Sequence, residues 1–213
     1  YIIFFLICFQ GFIGWYMVSS GLVDRVDVSH YRLALHLVIA FIILSLIYWC
    51  YLSLKIKNTN LIKINTNIPF IFTLLIFLQI CVGAFVSGMD AGKIYNTWPL
   101  MGANFFPDDN SIDNLFSFSL FNDPSLVQFM HRNLAYLILI YYLFILIKIY
   151  KNNLFNLFKI INLIGLLLFL QIILGILTLL NGAQIVSASM HQISSILLVT
   201  SSIYFLYINN KSN

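Results

Sequence analysis

Six apolar stretches of about 20 residues, parted by polar segments, constrain this chain more than anything else, because a helix needs that length to cross a hydrocarbon core of about 30 Å. They run from Tyr1 to Ser20, Leu33 to Leu54, Pro69 to Gly88, Val127 to Ile149, Ile160 to Leu180 and Val186 to Ile208. Composition agrees: 61% of the 213 residues are hydrophobic and only 8% are charged, which excludes a water-soluble domain. A transmembrane barrel is excluded as well, since barrel strands alternate and are half this length. The sequence therefore predicts an all-α, polytopic helical bundle in a membrane. Cys8, Cys50 and Cys81 fall inside the spans without CxxC spacing and read as small apolar core residues. The chain starts at Tyr1 inside an apolar run, so it reads as part of a longer protein, and targeting signals cannot be judged.

Charge placement sets an orientation. All seven acids, Asp24, Asp27, Asp90, Asp108, Asp109, Asp113 and Asp123, fall between spans one and two or between spans three and four. Lys55, Lys57, Lys63, Lys148, Lys151, Lys159 and Lys211 fall on the opposite side, which the positive-inside rule makes cytoplasmic, or matrix in a mitochondrion. The cations Arg25, Arg32, Lys93 and Arg132 sit on the outer, acidic side and need a separate explanation.

His36, His131 and His191 each lie about a turn into spans two, four and six, all of which run in the same direction. Their imidazoles are therefore expected at one depth, near the outer face. An ionisable or ligating side chain within a span is costly unless it is used or paired, which makes these three functional candidates. No acid or cysteine is placed to complete a zinc or copper shell. Imidazole pairs from two helices suit haem iron, whose other four ligands come from the macrocycle. Haem propionates near the outer face would seek cations, and Arg32, Lys93 and Arg132 are the candidates.

A repeat underlies the histidines. Gln10 and Gly14, Gln79 and Gly83, and Gln171 and Gly175 are spaced i, i+4 in spans one, three and five, and the next span carries His36, His131 or His191 in turn. The two members of each pair share a helix face. The glycine permits close approach of a helix or a flat macrocycle; ordinary small-residue packing is the plainer reading.

The stretches Gly11-Phe-Ile-Gly-Trp-Tyr-Met-Val-Ser-Ser-Gly21, Val28-Ser-His-Tyr-Arg-Leu-Ala-Leu-His36-Leu, Asp90-Ala-Gly-Lys-Ile-Tyr-Asn-Thr-Trp-Pro-Leu-Met101, Phe129-Met-His131-Arg-Asn-Leu-Ala135 and Ser189-Met-His191-Gln resemble the haem A synthase family, in its alphaproteobacterial and mitochondrial branch. The resemblance implies eight helices in two pseudo-symmetric four-helix halves, of which this chain would hold helices three to eight. Residues 1–54 would be the second part of the N-terminal half, on the substrate-haem side. Residues 55–68 would be a cytoplasmic or matrix-side loop, and residues 69–213 the C-terminal, haem b half. By the same resemblance His131 and His191 would ligate the iron of haem b, and His36 would be the catalytic residue at the substrate haem iron. The partner of His36, and a glutamate one turn before it, would lie on a helix outside this sequence, which contains no Glu. His30 falls in the outer loop and is left out of the site.

The implied reaction is oxidation of the C8 methyl of haem O to the formyl of haem A, in a bacterial inner membrane or a mitochondrial inner membrane. The implied partners are haem O, haem A, lipid, an unidentified electron donor, haem O synthase, cytochrome oxidase assembly factors and further copies of the chain, with no nucleic acid. Two other readings stay open on spacing alone: a b-type cytochrome that only transfers electrons, and a haem-free transporter, although transporters bind near the midplane at broken helices. In the longest connection, Met89 to Ser125, residues Lys93 to Met101 are expected to cap the outer haem edge. Tyr95 and Trp98 would sit at interface depth, and Asp108 to Asp123 read as a solvated connection.

Overall fold

The computed structural model describes residues 1–21, 28–56 and 63–211. Asp24, Arg25, Asp27 and Lys57, which enter the charge argument, lie outside the described residues. Six long helices carry the fold: α1 (Ile2–Gly21), α2 (His30–Lys55), α3 (Asn67–Gly88), α4 (Pro124–Lys151), α5 (Phe155–Leu180) and α6 (Ile185–Lys211). All six are long and apolar enough to cross a membrane, and the chain is a multi-pass membrane protein. Several helices begin before the apolar blocks do. α2 starts at His30, three residues ahead of Leu33, so His30 is the first helical residue and not a loop residue. Hydropathy marks where a helix meets lipid, whereas the backbone hydrogen-bond ladder continues into the interface.

Sequential helices pack side by side, and α6 also returns against α2 and α3. Side chains from α2 to α6 form one main core, which includes Phe72 and Ile76 of α3, Ile145 and Ile149 of α4, Ile161 and Ile164 of α5, and Val199 and Phe205 of α6. It occupies the lysine-bearing end and the middle of the bundle. Lipid tails are as apolar as these side chains, so close packing and internal hydrogen bonds supply the cohesion. One such tie is fully buried: Asn209 of α6 donates from Nδ2 to the Ile64 carbonyl at 3.0 Å and accepts from the Ile64 N–H at Oδ1, also at 3.0 Å. Where α4 meets α5, Tyr142 donates to the Ile161 carbonyl, and a Cβ on Gly165 would lie 2.1 Å from the Tyr142 hydroxyl. The glycine is what lets the phenol reach across.

Outward faces are apolar. On α1, Phe4, Phe5, Phe12 and Trp15 are exposed among the described residues. The cysteines differ from expectation: Cys8 and Cys50 are exposed on helix surfaces and only Cys81 is half-buried. An apolar outer face costs a thiol nothing in lipid, so an apolar run does not tell a core position from a peripheral one.

The connection between α3 and α4 is folded. It contains three short 3-10 turns, Ala91–Lys93, Ile112–Phe116 and Phe118–Phe121, and it buries Ala91 and Met101. Its later part, residues 108–123, is largely exposed, as a solvated connection should be, but it is folded. Asp123 caps α4, its carboxylate accepting from the Leu126 N–H at 3.0 Å with Pro124 next in line. Asp109 accepts from the Ser125 hydroxyl and, at 3.0 Å, from the Tyr95 hydroxyl.

Candidate functional site

The three histidines occupy equivalent places, each about two turns from the start of its helix, at His36 of α2, His131 of α4 and His191 of α6. Each is seated by the preceding helix in one recurring way. The glutamine amide donates to the histidine's own backbone carbonyl: Gln10 to His36 at 2.9 Å, Gln79 to His131 at 3.1 Å and Gln171 to His191 at 3.2 Å. One turn on, the glycine leaves room for the ring. A Cβ on Gly14, Gly83 or Gly175 would lie 3.2, 3.1 or 3.1 Å from the Cε1 of His36, His131 or His191. The i, i+4 spacing read in the sequence is therefore a two-point seat: the amide fixes the depth of the histidine helix, and the missing side chain fixes where the imidazole lies.

Only two of the three rings meet. His131 and His191 face each other with centroids 6.5 Å apart and planes at 81°. Two imidazoles on opposite sides of one metal, with each ring nitrogen about 2 Å from it, would place their centroids about 6 Å apart, so this pair fits a single iron. His36 makes no such ring pair among the described residues. The Nδ1 atoms of His36 and His191 are buried without a hydrogen-bond partner, so neither ring is committed to a structural contact through that atom. The Gln79 amide nitrogen lies 3.2 Å from both ring nitrogens of His131. An amide N–H donates only to a bare ring nitrogen, so Gln79 and a metal compete for one lone pair. At the third seat Gln171 also donates to the Ser194 hydroxyl at 2.6 Å. Among the described residues no three histidine, cysteine or acidic groups gather as a metal cluster. The donor set is imidazole alone, as a macrocycle that brings its own equatorial nitrogens requires.

The cations have distinct surroundings. Arg32 lies over the Tyr16 ring, 4.8 Å from its centroid, with one buried Nη1 unpartnered. It stands one turn before His36 and faces α1. Lys93 is paired with Asp90 at 2.9 Å on an exposed surface, where ion pairs contribute little. Arg132 spends most of its guanidinium on the α3–α4 connection: Nη1 donates to the carbonyls of Thr97 and Leu100 at 2.9 and 3.2 Å, and Nη2 donates to the Tyr95 carbonyl at 3.0 Å. Its Nε is buried and unpartnered. Gln128 also donates to the Tyr95 carbonyl, and Asn96 to that of Leu179. The segment expected to be a cap is thus fastened to the ends of α4 and α5, with Trp98 partly exposed.

The sequence did not reveal this fastening, nor the Asp109 cluster. Desolvation pushes the Asp109 carboxyl up, but hydrogen bonds from Ser125, Tyr95 and Asn110 outweigh it and hold the group below its ordinary range. The Tyr95 phenol is pushed up, first by desolvation and then by Asp109. One signal was present: Asp followed by Pro ahead of an apolar run is a helix start. The geometry assembles a pair of opposed imidazoles under a fastened loop, and beside it a third imidazole on an identical seat.

Residues 1–203 match the COX15-CtaA family, described as cytochrome oxidase assembly protein. The chain is similar to the heme A synthase of Pelagibacter ubique, 49% identical over 218 aligned positions that cover 100% of this chain and 62% of the relative. It is 42% identical to the heme A synthase of Rickettsia bellii over 93% of this chain and 60% of the relative. With the heme A synthase of Wolbachia pipientis wMel it shares 43% identity over 92% of this chain and 56% of the relative. The chain spans about three fifths of the length of these curated relatives.

Proposed function

This chain belongs to the COX15-CtaA family of cytochrome oxidase assembly proteins, and from that premise we propose that it is the larger part of a haem A synthase, oxidising the C8 methyl of haem O to the formyl of haem A in a bacterial cell membrane. The observation that carries the reading is the His131–His191 pair, two imidazoles from two helices set 6.5 Å apart, with no group of three or more histidine, cysteine or acidic side chains among the described residues. A b-type haem held there would supply one-electron transfer at its iron.

The chain's own part is to hold and orient. Gln79 and Gly83 set the depth and place of His131, and Gln171, Ser194 and Gly175 do so for His191. A haem held there would have His131 and His191 as the residues that hold its iron. His36 has the same seat from Gln10 and Gly14 but no facing histidine among the described residues. His36 is the proposed residue of the place where haem O enters and haem A leaves. Arg32, one turn before His36 with an unpartnered Nη1, is placed to meet a propionate of the substrate. The Arg132 Nε could meet one at the other site, and Lys93, already paired with Asp90, is the weakest of the three candidates.

The test is expression of the full-length parent in a host that makes haem O, with chromatography of the extracted haems. Haem A should appear only when the protein is present. Bound haem b without any haem A would instead identify an electron-carrying b-type cytochrome, which the His131–His191 pair would serve equally well.

A further inference from the structure

The residue that follows each histidine differs between the three seats: Leu37 after His36, Arg132 after His131 and Gln192 after His191. Of the three, Arg132 carries the most donors, and it uses them at one place. Its two terminal nitrogens reach the carbonyls of Tyr95, Thr97 and Leu100, which belong to a non-helical stretch. These carbonyls have no helix or sheet partner of their own, so the guanidinium takes the place of a backbone ladder for this segment. A planar fork suits that task, whereas an ammonium is a single point of charge. Gln128, one turn earlier on α4, supplies a second donor to Tyr95. The far side of the segment is tied to α5 through Asn96 and Leu179, and Gly92 packs so closely on the α5–α6 turn that a Cβ would lie 3.1 Å from that of Ala183. The segment therefore bridges the ends of the helices that carry the paired histidines, and its main fastener is covalently next to one of them.

We propose that Arg132 is a positioning residue that locks residues 95–100 across the end of the His131–His191 site, so that a haem there is retained by the closed segment and not by its axial histidines alone. This rests on the haem reading above. His131 and Arg132 share a backbone unit, so a shift of α4 that draws the imidazole from its metal also pulls on the three carbonyl bonds. The two events oppose dissociation together. At the His36 seat the following residue is Leu37, which has no polar group to fasten a loop.

The test uses the purified full-length protein in detergent, loaded with haem, and follows transfer of haem to an excess of apomyoglobin. Arg132→Gln should release haem about tenfold faster, the effect of losing one charge-assisted hydrogen-bond set. Arg132→Lys should behave like Arg132→Gln, because one ammonium cannot span three carbonyls. Limited proteolysis should cut within residues 95–105 faster in both variants. If Arg132→Lys matched the unchanged protein in release and in proteolysis, the residue would be acting through charge on a propionate and the lock would be refuted. Should Arg132→Gln fail to fold, Asn96→Ala, which removes the ties to Leu179 and Gly92, must still speed release and cleavage; no change there refutes the proposal. A parent protein that binds no haem would sink the functional reading, while the proteolysis comparison would still decide the lock.

Discussion

The neighbourhood of His36 and that of His131 and His191 are built from the same unit and end up different. All three imidazoles rest on a glycine, and all three histidine carbonyls accept from a glutamine amide. Around His131 and His191 the unit occurs twice, face to face, and a folded loop is fastened over the end. Around His36 it occurs once among the described residues of a chain that spans about three fifths of its relatives' length. The unit therefore positions a ring but does not determine what the ring is for. That depends on whether a second ring faces it and what closes over it.

Histidine removal gives the largest effect and the sharpest contrast. Replacing His131 or His191 with Ala should abolish low-spin b-type absorption in the purified protein. His36→Ala should leave that absorption intact and stop conversion of haem O. Absorption spectra and the ratio of haem O to haem A, taken from the same membranes, check both statements. Equal loss of haem b in all three variants would erase the distinction between the two regions.

Glycine substitution asks whether the seats are equivalent as packing. Gly83→Ala and Gly14→Ala each place a methyl at 3.1 or 3.2 Å from an imidazole carbon, tighter than van der Waals contact. Overpacking of this kind costs about 1–3 kcal/mol. Haem b occupancy should fall in Gly83→Ala and hold in Gly14→Ala, as read from haem-to-protein ratios. A fall in both would mean that the first seat supports the second.

Helix starts offer a smaller contrast. Asp123 caps α4 through its side chain, whereas Ser29 at the start of α2 makes no side-chain cap bond. Asp123→Ala should lower stability by about 1 kcal/mol, seen as a lower midpoint of thermal unfolding in detergent. Ser29→Ala should leave that midpoint almost unmoved.

The smallest effect is one of pH. Asp109 is held below its ordinary carboxylate range in the folded chain. Its contribution is therefore complete above the unfolded value and is lost as pH falls through the lower, folded one. Cleavage of the α3–α4 connection by an acid-active protease should rise only below the usual carboxylate range, and Asp109→Asn should flatten that rise. The His36 region has no counterpart among the described residues.

Much of this was legible in the sequence, and the legible parts share a cause. A span length, a charge bias and an i, i+4 pair are local properties that the membrane or the helix imposes, so the six helices, the common depth of the histidines and the Gln–Gly faces could be read directly. Which rings meet could not, because His131 and His191 are brought together by the packing of α5 against α6 and of α3 against α4 and α6. The role of Arg132 was hidden for the same reason. A cation near a membrane face invites an anionic partner, and nothing local tells that three carbonyls from residues 95 to 100 already surround it. The exposed Cys8 and Cys50 were misread because lipid removes the usual penalty on an apolar surface.

The buried pairing of Asn209 with Ile64 bears on motion as well as on cohesion. It pins the far end of α6 beside the main core, while the other end of that helix carries His191, whose carbonyl accepts from Gln171 and whose ring rests on Gly175. The helix is thus a lever with a fixed fulcrum. From residue 209 to residue 191 runs about 27 Å of helix, so a tilt of about 5° at the pinned end carries the imidazole about 2 Å sideways. Iron–nitrogen bonds tolerate far less than that. The place of the His191 ring therefore depends in part on a residue about 27 Å away along the helix, the asparagine near the lysine-bearing end of α6.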